Sequence, residues 1–319
     1  MAILTIYFHK DFDGLVAAAL FLRINELSQL IGADSVTLKS VDYDIKENWL
    51  KTNLQKPNVV IDFLYHPKAD WWFDHHVSTF LNSRHKEQYS NSDKQFWDAS
   101  YPSCAALIKT NLQQQCSLFM GVEEYNIVVN RFREWIHWSN IIDNANYNDP
   151  AQVVELKSPS LQINATLSYE IEETYLQHLI FAAKLYQPDE VVHTAYVKDK
   201  VQKILSLQED YLSIFKNHYK IIPKKTVYFD YVKKEIPFQR YFTYYFEPDA
   251  FYSIGLYNRN GKFAISVGKN PWLEFTSKNI GEICKRFGGG GRINVGSIIV
   301  DEYSKAVEIV ETITKSLSQ

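Results

Sequence analysis

The sequence predicts an α/β protein with an N-terminal parallel-sheet domain, a helical connector and a smaller C-terminal α/β domain. Within residues 1–155, apolar strand-like runs alternate with helical patterns, which is the order that builds a mostly parallel sheet covered by helices. Residues 156–222 are long helical patterns with charges on one face. Strand-like runs return in residues 223–319 and end in a helical segment. A chain of 319 residues is also longer than one core usually spans.

The N-terminal domain is expected to contain four strands. LTIYF is the first, and it is followed by the helix formers of LVAAALFLRINELSQLI. The remaining strands are SVTLKSVDY, PNVVIDF and ADWWFDHH, and the later helices are CAALIKTNLQQQ and YNIVVNRFREWIHWSNIID. Ligands of parallel sheets bind beyond the carboxyl ends of the strands, so we expect a site at that edge.

The rest of the chain is expected to be helical first and then mixed. The connector contains the helical segments SPSLQINATLSYEIEETYLQHLIFAAKLY and VVHTAYVKDKVQKILSLQEDYLSIF. The strands predicted after it are TVYFDYV, YFTYYF, FYSIGLYN, NGKFAISVG and IIVDEY. Asn260-Gly261 is a typical tight-turn pair between two strands. NIGEICKRF is predicted to be a helix that ends at GGGG, and SKAVEIVETITKSL a closing helix.

Composition narrows the class of protein. A net charge of −3 without a dense basic run argues against a protein that coats long nucleic acid. Cys104, Cys116 and Cys284 form no CxxC pair and are typical of reduced thiols in a cytoplasmic protein. The apolar start MAILTIYF is too short for a signal peptide, and no window approaches the roughly 18 apolar residues of a membrane span.

The first candidate site residues lie in the stretch FHKDFDG. His9, Asp11 and Asp13 alternate, so in an extended strand they would share one face, each roughly 7 Å from the next. Gly14 would then end the extended segment, and a helix would start near Leu15. Three groups that can bind a divalent metal indicate a site, although a solvated turn accounts for the same pattern.

Further candidates follow later apolar runs. Asp62 ends VVID, and Asp143 follows a helix in SNIIDNANY; each could instead be an ordinary helix-end or loop residue. Asp74-His75-His76 follows WWF. Adjacent histidines point to opposite sides of an ideal strand, so one could bind a metal while the other faces the substrate.

The charge balance favours two metal ions. The five aspartates of these motifs would carry five negative charges, which two divalent cations would nearly cancel. Carboxylates with imidazoles suit Mn²⁺ or Mg²⁺ better than a thiolate-dependent zinc site. Two metals about 3.5 to 4 Å apart form the known clamp for in-line phosphoryl chemistry.

A glycine run near the C-terminus is a candidate for anion binding. The run ends in Gly289, Gly290 and Gly291 and is followed by Arg292. Glycines let backbone N–H groups approach an anion closely, and the arginine guanidinium can donate two hydrogen bonds to the oxygens of one phosphate. A flexible hairpin or a helix C-cap is the alternative.

Taken together, these motifs resemble the DHH phosphoesterase family. The matching segments, in order, are FHKDFDG, VVIDF, FDHH, IIDN and GGGGRINVG, and they span nearly the whole chain. The layout is similar to the branch that joins a DHH domain to a C-terminal DHH-associated domain, as in RecJ exonucleases and the bacterial nanoRNases (oligoribonucleases). The resemblance implies domains at 1–155 and 223–319, with residues 156–222 between them.

The resemblance also implies roles for individual residues. His9, Asp11 and Asp62 would hold one Mn²⁺. Asp62 would be shared with a second ion, whose other ligands are Asp13, His75 and Asp143. Asp74 would support the site and His76 would face the scissile phosphate. Gly289, Gly290, Gly291 and Arg292 would bind the far end of the substrate.

The implied activity is a Mn-dependent phosphodiesterase, with Mg²⁺ as the other candidate metal, that cuts short oligonucleotides or dinucleotides into nucleoside monophosphates. Expected partners are short single-stranded oligonucleotides or nucleotides rather than membranes or long duplexes, and a homodimer stays open. The alternatives are a 3′-phosphoadenosine 5′-phosphate phosphatase, a cyclic or linear dinucleotide phosphodiesterase and a nucleotide-binding sensor without catalysis. Arg292 stands where the family motif usually has histidine, which leaves the substrate end-group open.

Overall fold

The computed structural model describes residues 2–168, 172–223 and 225–318. The chain divides into two compact units. Unit 1 comprises Met1–Tyr147 and Leu156–Ile204, and unit 2 comprises Asn148–Glu155 and Leu205–Gln319. Among the described residues, no helix combines the length and apolar character that crossing a lipid bilayer requires.

Unit 1 is built on a parallel five-stranded sheet with the strand order β2-β1-β3-β4-β5. Its strands are β1 (Ile3–His9), β2 (Ser35–Val41), β3 (Asn58–Ile61), β4 (Trp71–Asp74) and β5 (Gln95–Trp97). The interior strand β1 is buried on both faces from Leu4 to Phe8, as expected for a parallel sheet covered by helices. The predicted parallel sheet is confirmed. The edge strand β5 was not foreseen, because QFW follows a long polar segment.

Helices cover this sheet. They are α1 (Phe12–Ser28), α2 (Ser83–Gln88), α3 (Cys104–Asn111), α4 (Gln113–Met120), α5 (Val122–Arg131), α6 (Arg133–Asp143), α8 (Pro159–Thr166), α9 (Glu173–Leu185) and α10 (Pro188–Val191). Two single 3-10 turns occur at Tyr43–Ile45 and Trp49–Lys51. The helix α11 (Ala195–His218) continues from unit 1 into unit 2. The predicted connector, residues 156–222, is therefore mostly helical, but its last residues, Lys220–Ile222, form a strand. Residues 169–171 lie outside the described residues.

Unit 2 contains a mixed six-stranded sheet with the strand order β10-β11-β9-β8-β7-β6. Its strands are β6 (Lys220–Ile222), β7 (Thr226–Asp230), β8 (Tyr252–Arg259), β9 (Lys262–Lys269), β10 (Gly290–Arg292) and β11 (Val295–Val300). Its helices are α7 (Pro150–Val154), α12 (Tyr231–Lys234), α13 (Phe242–Phe246), α14 (Ile280–Lys285) and α15 (Tyr303–Ser318). Asn260 and Gly261 turn β8 into β9 with φ angles of 52° and 77°, which confirms the predicted tight turn.

One predicted strand is wrong. YFTYYF forms α13, although its aromatic and β-branched residues favour a strand. Both edges of β7 are occupied, by β6 and β8, so this segment packs as a helix instead. The hydroxyl of Tyr244 donates to the Gly268 carbonyl oxygen over 3.0 Å and fixes the helix against the sheet. Tertiary packing has overridden local propensity here.

Candidate metal centre

Eight polar side chains from separate segments of unit 1 meet beyond the carboxyl ends of β1, β3 and β4. They are His9, Asp11, Asp13, Asp62, Asp74, His75, His76 and Asp143. Every metal-ligand and catalytic residue proposed from the sequence is therefore in this cluster, which we call the carboxylate–histidine cluster. Parallel strands end at the same edge of a sheet, and this brings together segments that are far apart in sequence.

The first segment reaches the cluster by a different path from the one predicted. The expected extended run through Asp13 is wrong, because β1 ends at His9 and α1 begins at Phe12. Asp11 is the N-cap of α1, and its carboxylate accepts the Gly14 N–H over 2.9 Å. The same carboxylate lies 2.7 Å from His9 Nδ1.

Gly14 makes this sharp strand-to-helix junction possible. A Cβ atom at this position would lie 2.2 Å from the carbonyl oxygen of His9, which is far inside van der Waals contact. The absence of a side chain lets the first turn of α1 rest directly on the end of β1. The glycine therefore sets the distance between the Asp11 cap and the strand end.

Asp62 lies at the centre of the cluster and is fully buried. It follows β3 with a φ of 57°, in the left-handed region that side chains other than glycine seldom adopt. Neither carboxylate oxygen accepts a hydrogen bond from any residue that the structure describes. Oδ2 lies 3.6 Å from His9 Nδ1, and Oδ1 lies 3.6 Å from both His75 Nε2 and His76 Nδ1. A buried carboxylate without a hydrogen-bond donor is costly unless a cation binds it.

Two buried tryptophans hold the backbone that follows Asp62. Trp72 Nε1 donates to the Phe63 carbonyl oxygen and Trp49 Nε1 to the Leu64 carbonyl oxygen, each over 2.8 Å. The Asp62 N–H donates to the Phe73 carbonyl oxygen over 2.8 Å. These bonds fix the unusual conformation at Asp62 from both sides.

The two adjacent histidines both face the cluster. The ideal-strand argument that would separate them does not apply, because β4 ends at Asp74. His75 Nδ1 lies 3.0 Å from the Tyr101 carbonyl oxygen, so the neutral ring carries its hydrogen there and presents a bare Nε2. His75 Nε2 lies 3.4 Å from Asp143 Oδ2 and 3.6 Å from Asp13 Oδ2.

Asp74 orients His76. Its Oδ1 lies 2.8 Å from His76 Nδ1 and also accepts the backbone N–H groups of His75 and His76. Trp97 Nε1 donates to the His76 carbonyl oxygen over 2.9 Å. Sequence reasoning missed Trp97, because it stands in a short edge strand far from any recognised motif.

Asp13 is fixed by the start of α3. Its two oxygens accept the N–H groups of Cys104 and Ala105 over 2.6 and 3.1 Å. Ser103 caps this helix by accepting the Ala106 N–H. The helix start therefore aims its positive end at Asp13 and holds one carboxylate of the cluster in place.

The cluster shifts the protonation of its members. Burial alone would lower the pKa of His9, but the carboxylates of Asp11 and Asp62 raise it to about 11. Burial and then the carboxylates of Asp143 and Asp11 raise the pKa of Asp13 to about 8. Burial and the neighbouring carboxylates hold the pKa of Asp62 well above its ordinary value. Without a bound metal, the raised pKa values keep some of these groups protonated, and the protons reduce the negative charge of the cluster. Bound cations would neutralise that charge instead.

Three sets of side chains within the cluster are close enough to hold an ion. They are His9 with Asp11 and Asp62, Asp13 with His75 and Asp143, and Asp62 with His75 and His76. Asp62 belongs to two of the sets, which fits a ligand shared by neighbouring ions. Carboxylate oxygens and imidazole nitrogens fit Mn²⁺ or Mg²⁺, and His75 and His76 both have a partner that orients the ring, as metal-binding histidines usually do.

The glycine-rich segment lies in unit 2, and packing explains much of it. A Cβ on Gly289 would lie 2.2 Å from the Ser297 carbonyl oxygen, and one on Gly291 would lie 2.2 Å from that of Val295. These glycines allow β10 and β11 to pair closely. By contrast, a Cβ on Gly290 would meet no atom of the described residues within 4 Å, and Arg292 is exposed. Gly290 and Arg292 are thus the two members of the predicted anion site that packing leaves unexplained.

The chain is similar in fold to several solved structures. No family model matches it, and no curated protein matches it either. The pGpG-specific phosphodiesterase PggH from Vibrio cholerae superposes with a TM-score of 0.73 at 17% identity, over 99% of both chains. RecJ from Thermus thermophilus in complex with Mn²⁺ gives 0.55 at 12% identity, over 99% of this chain and 52% of RecJ.

An exopolyphosphatase-related protein from Bacteroides fragilis gives a TM-score of 0.51 at 11% identity, over 99% of this chain and 92% of that one. At sequence identities this low, the similarity establishes the fold alone. Each of the three superpositions covers both units of this chain. A parallel sheet in unit 1 and a separate mixed sheet in unit 2 agree with the two α/β domains predicted from the sequence, although the parallel sheet has five strands rather than four. The chain therefore has the fold of the DHH phosphoesterases of the RecJ-like branch.

Proposed function

We propose that the protein is a divalent-metal-dependent phosphodiesterase that hydrolyses short oligonucleotides or dinucleotides to nucleoside monophosphates. The main support for the proposal is the environment of Asp62. Within the described part of the chain its two oxygens accept no hydrogen bond, although the side chain is fully buried and a nitrogen of each of three imidazoles lies 3.6 Å away. Such a residue is stabilised when cations bind on both of its sides.

The proposed assignment uses two ions. His9, Asp11 and Asp62 would hold one, and Asp13, Asp62, His75 and Asp143 the other. When bound, Mn²⁺ or Mg²⁺ would polarise the phosphate oxygens and lower the pKa of water near the phosphorus atom.

The protein's own contribution is positioning. Asp74 accepts a hydrogen bond from His76 Nδ1. Burial alone would lower the pKa of His76, but this hydrogen bond and the carboxylate of Asp62 raise it to about 10, so the protonated ring can also donate from Nε2 to a phosphate oxygen. The buried cluster fixes its members through backbone groups, and this lowers the cost of reorganisation when the substrate binds.

Two features support a short nucleotide substrate. The chain has a net charge of −3, which does not favour long nucleic acid. PggH, which matches this chain over 99% of both lengths, is described as specific for the linear dinucleotide pGpG. We therefore rank a linear dinucleotide or a very short RNA first, with Arg292 and Gly290 as groups that would bind a phosphate of the substrate.

The test is a substrate panel with the purified protein and Mn²⁺. The panel contains pGpG, an RNA 5-mer, a DNA 5-mer, a cyclic dinucleotide, 3′-phosphoadenosine 5′-phosphate and pyrophosphate. We expect mononucleotides from pGpG and the short RNA, and no product after EDTA treatment. Cleavage of the bisphosphate or pyrophosphate alone would refute the phosphodiesterase assignment. A protein that binds Mn²⁺ and nucleotides but cuts nothing would instead be a sensor.

A further inference from the structure

Unit 2 contains a cavity of about 650 Å³ lined by β6, β7, α12 and α15. Its lining residues run from His218 to Lys315, so all of them belong to unit 2. The carboxylate–histidine cluster belongs to unit 1. Small-molecule sites are typically about 300–1,000 Å³, so the cavity is large enough for a mononucleotide.

The wall of the cavity is positively charged. Four lysines face two carboxylates, Asp230 and Glu311. The lysines are Lys220, Lys233, Lys234 and Lys315. The charge excess favours an anion, and lysine is a common point-charge ligand for phosphate.

The carboxylate of Asp230 already accepts hydrogen bonds from other groups of the protein. Its Oδ1 accepts the Lys233 N–H over 3.1 Å, and Oδ2 accepts the hydroxyls of Tyr303 and, over 3.4 Å, Tyr228. These bonds satisfy the carboxylate from inside the wall. Glu311 and the four lysine side chains are therefore the charged groups left to meet a ligand, and the lysines are in excess.

The rest of the wall fits a flat apolar group. Ile222, Val307 and Val310 supply aliphatic surface, and the half-buried rings of Tyr228 and Tyr303 supply aromatic surface. Lys233 Nζ lies 5.5 Å from the centre of the Tyr303 ring, so charge and ring surface adjoin in one place. A ligand with an anionic end and an aromatic ring would use both.

We propose that this cavity binds an aromatic phosphate of the size of a nucleoside monophosphate. The phosphate contacts the lysines, and the ring packs on the tyrosines and aliphatic side chains. This binding is a further property of the protein and depends neither on metal nor on the phosphodiesterase activity proposed above.

Isothermal titration calorimetry of the full-length protein in EDTA tests the proposal, with GMP, ribose 5-phosphate and inorganic phosphate as probes. We expect GMP to bind at least about tenfold more tightly than ribose 5-phosphate, since only GMP carries the ring. The double variant Lys220→Ala/Lys315→Ala should bind GMP at least about tenfold more weakly.

Lys285→Ala is the matched control, because Lys285 is an exposed lysine of unit 2 outside the cavity lining. Melting curves establish that each variant is folded. Equal GMP affinity in the double variant and the control would overturn the location, and equal affinity for GMP and ribose 5-phosphate would overturn the ring assignment. Absence of GMP binding in a wild-type protein that still cleaves pGpG with Mn²⁺ would overturn this proposal and leave the proposed function standing.

Discussion

At the scale of single residues, the cluster depends on side chains whose own partners are backbone groups. Asp13 is held by two N–H groups of α3, His75 by a carbonyl oxygen and Asp62 by the strained turn after β3. Sequence patterns identified these side chains, since their spacing follows known motifs. They did not identify the residues that orient them, such as Trp97, because a lone tryptophan in a polar segment has no distinguishing pattern.

Trp97→Phe should lower kcat on pGpG about tenfold with little change in KM. The substitution keeps an aromatic ring but removes the hydrogen bond to the His76 carbonyl oxygen, and one such bond is worth about 1.4 kcal/mol. Steady-state kinetics measure the effect. Trp71→Phe is the control, since Trp71 packs in the neighbouring strand β4, and an equal loss of kcat there would show that packing alone matters.

Metal binding should release protons, and affinity for Mn²⁺ should rise between pH 6 and pH 8. In the metal-free protein the pKa of His9 is about 11 and that of Asp13 about 8, so both groups hold protons at neutral pH and must lose them to become ligands. Raising the pH reduces the protonated fraction of Asp13 and so favours the ion. Calorimetry in two buffers of different ionisation enthalpy counts the protons; a pH-independent affinity with no release would contradict the assignment of these ligands.

At the scale of elements, close backbone contacts decide where functional side chains stand. The β1–α1 junction requires Gly14, and the pairing of β10 with β11 requires Gly289 and Gly291. Both regions were predicted from the sequence. The sequence alone does not distinguish a glycine that close packing requires from a glycine that leaves space for a ligand. Only the distances to neighbouring atoms make that distinction.

Gly14→Ala should destabilise the protein by about 3 kcal/mol or more and weaken Mn²⁺ binding, because the new methyl group would force α1 away from the His9 carbonyl oxygen. Denaturant unfolding and metal titration measure the two effects. In the control Gly32→Ala the new methyl group would meet no atom within 4 Å among the residues described, so both quantities should stay nearly unchanged. A stable Gly14→Ala protein with normal metal affinity would show that the junction has room to adjust.

The pair Gly289→Ala and Gly290→Ala separates packing from binding in the glycine-rich segment. The first should lower the melting temperature, because its methyl group would lie 2.2 Å from a backbone oxygen. The second should leave the melting temperature unchanged and raise KM for pGpG, since Gly290 has open space where the proposed phosphate would bind. An unchanged KM in Gly290→Ala would remove the glycine-rich segment from the proposed substrate site.

At the scale of the whole molecule, the order of elements was largely predictable. Long apolar runs and helix formers identify the parallel sheet and its helices, and a tight-turn pair identifies the β8–β9 hairpin. The strand prediction for YFTYYF failed because the choice between a sheet edge and a helix depends on which edges are already occupied, and a single segment carries no such information. The cavity of unit 2 was also not predicted, since its lining comes from two segments, residues 218–234 and 303–315, that lie far apart in sequence.

The central claim for the molecule is that Asp62 is shared by two divalent ions. The most direct measurement is a Mn²⁺ titration, by calorimetry with the bound metal counted, of the wild type and of the isosteric Asp62→Asn variant. We predict two Mn²⁺ ions per chain in the wild type. In Asp62→Asn we predict loss of at least one ion, together with a higher melting temperature in EDTA, because a buried carboxylate without a hydrogen-bond donor has been removed. Two ions bound with unchanged affinity in Asp62→Asn would show that Asp62 is not a ligand shared by the two ions.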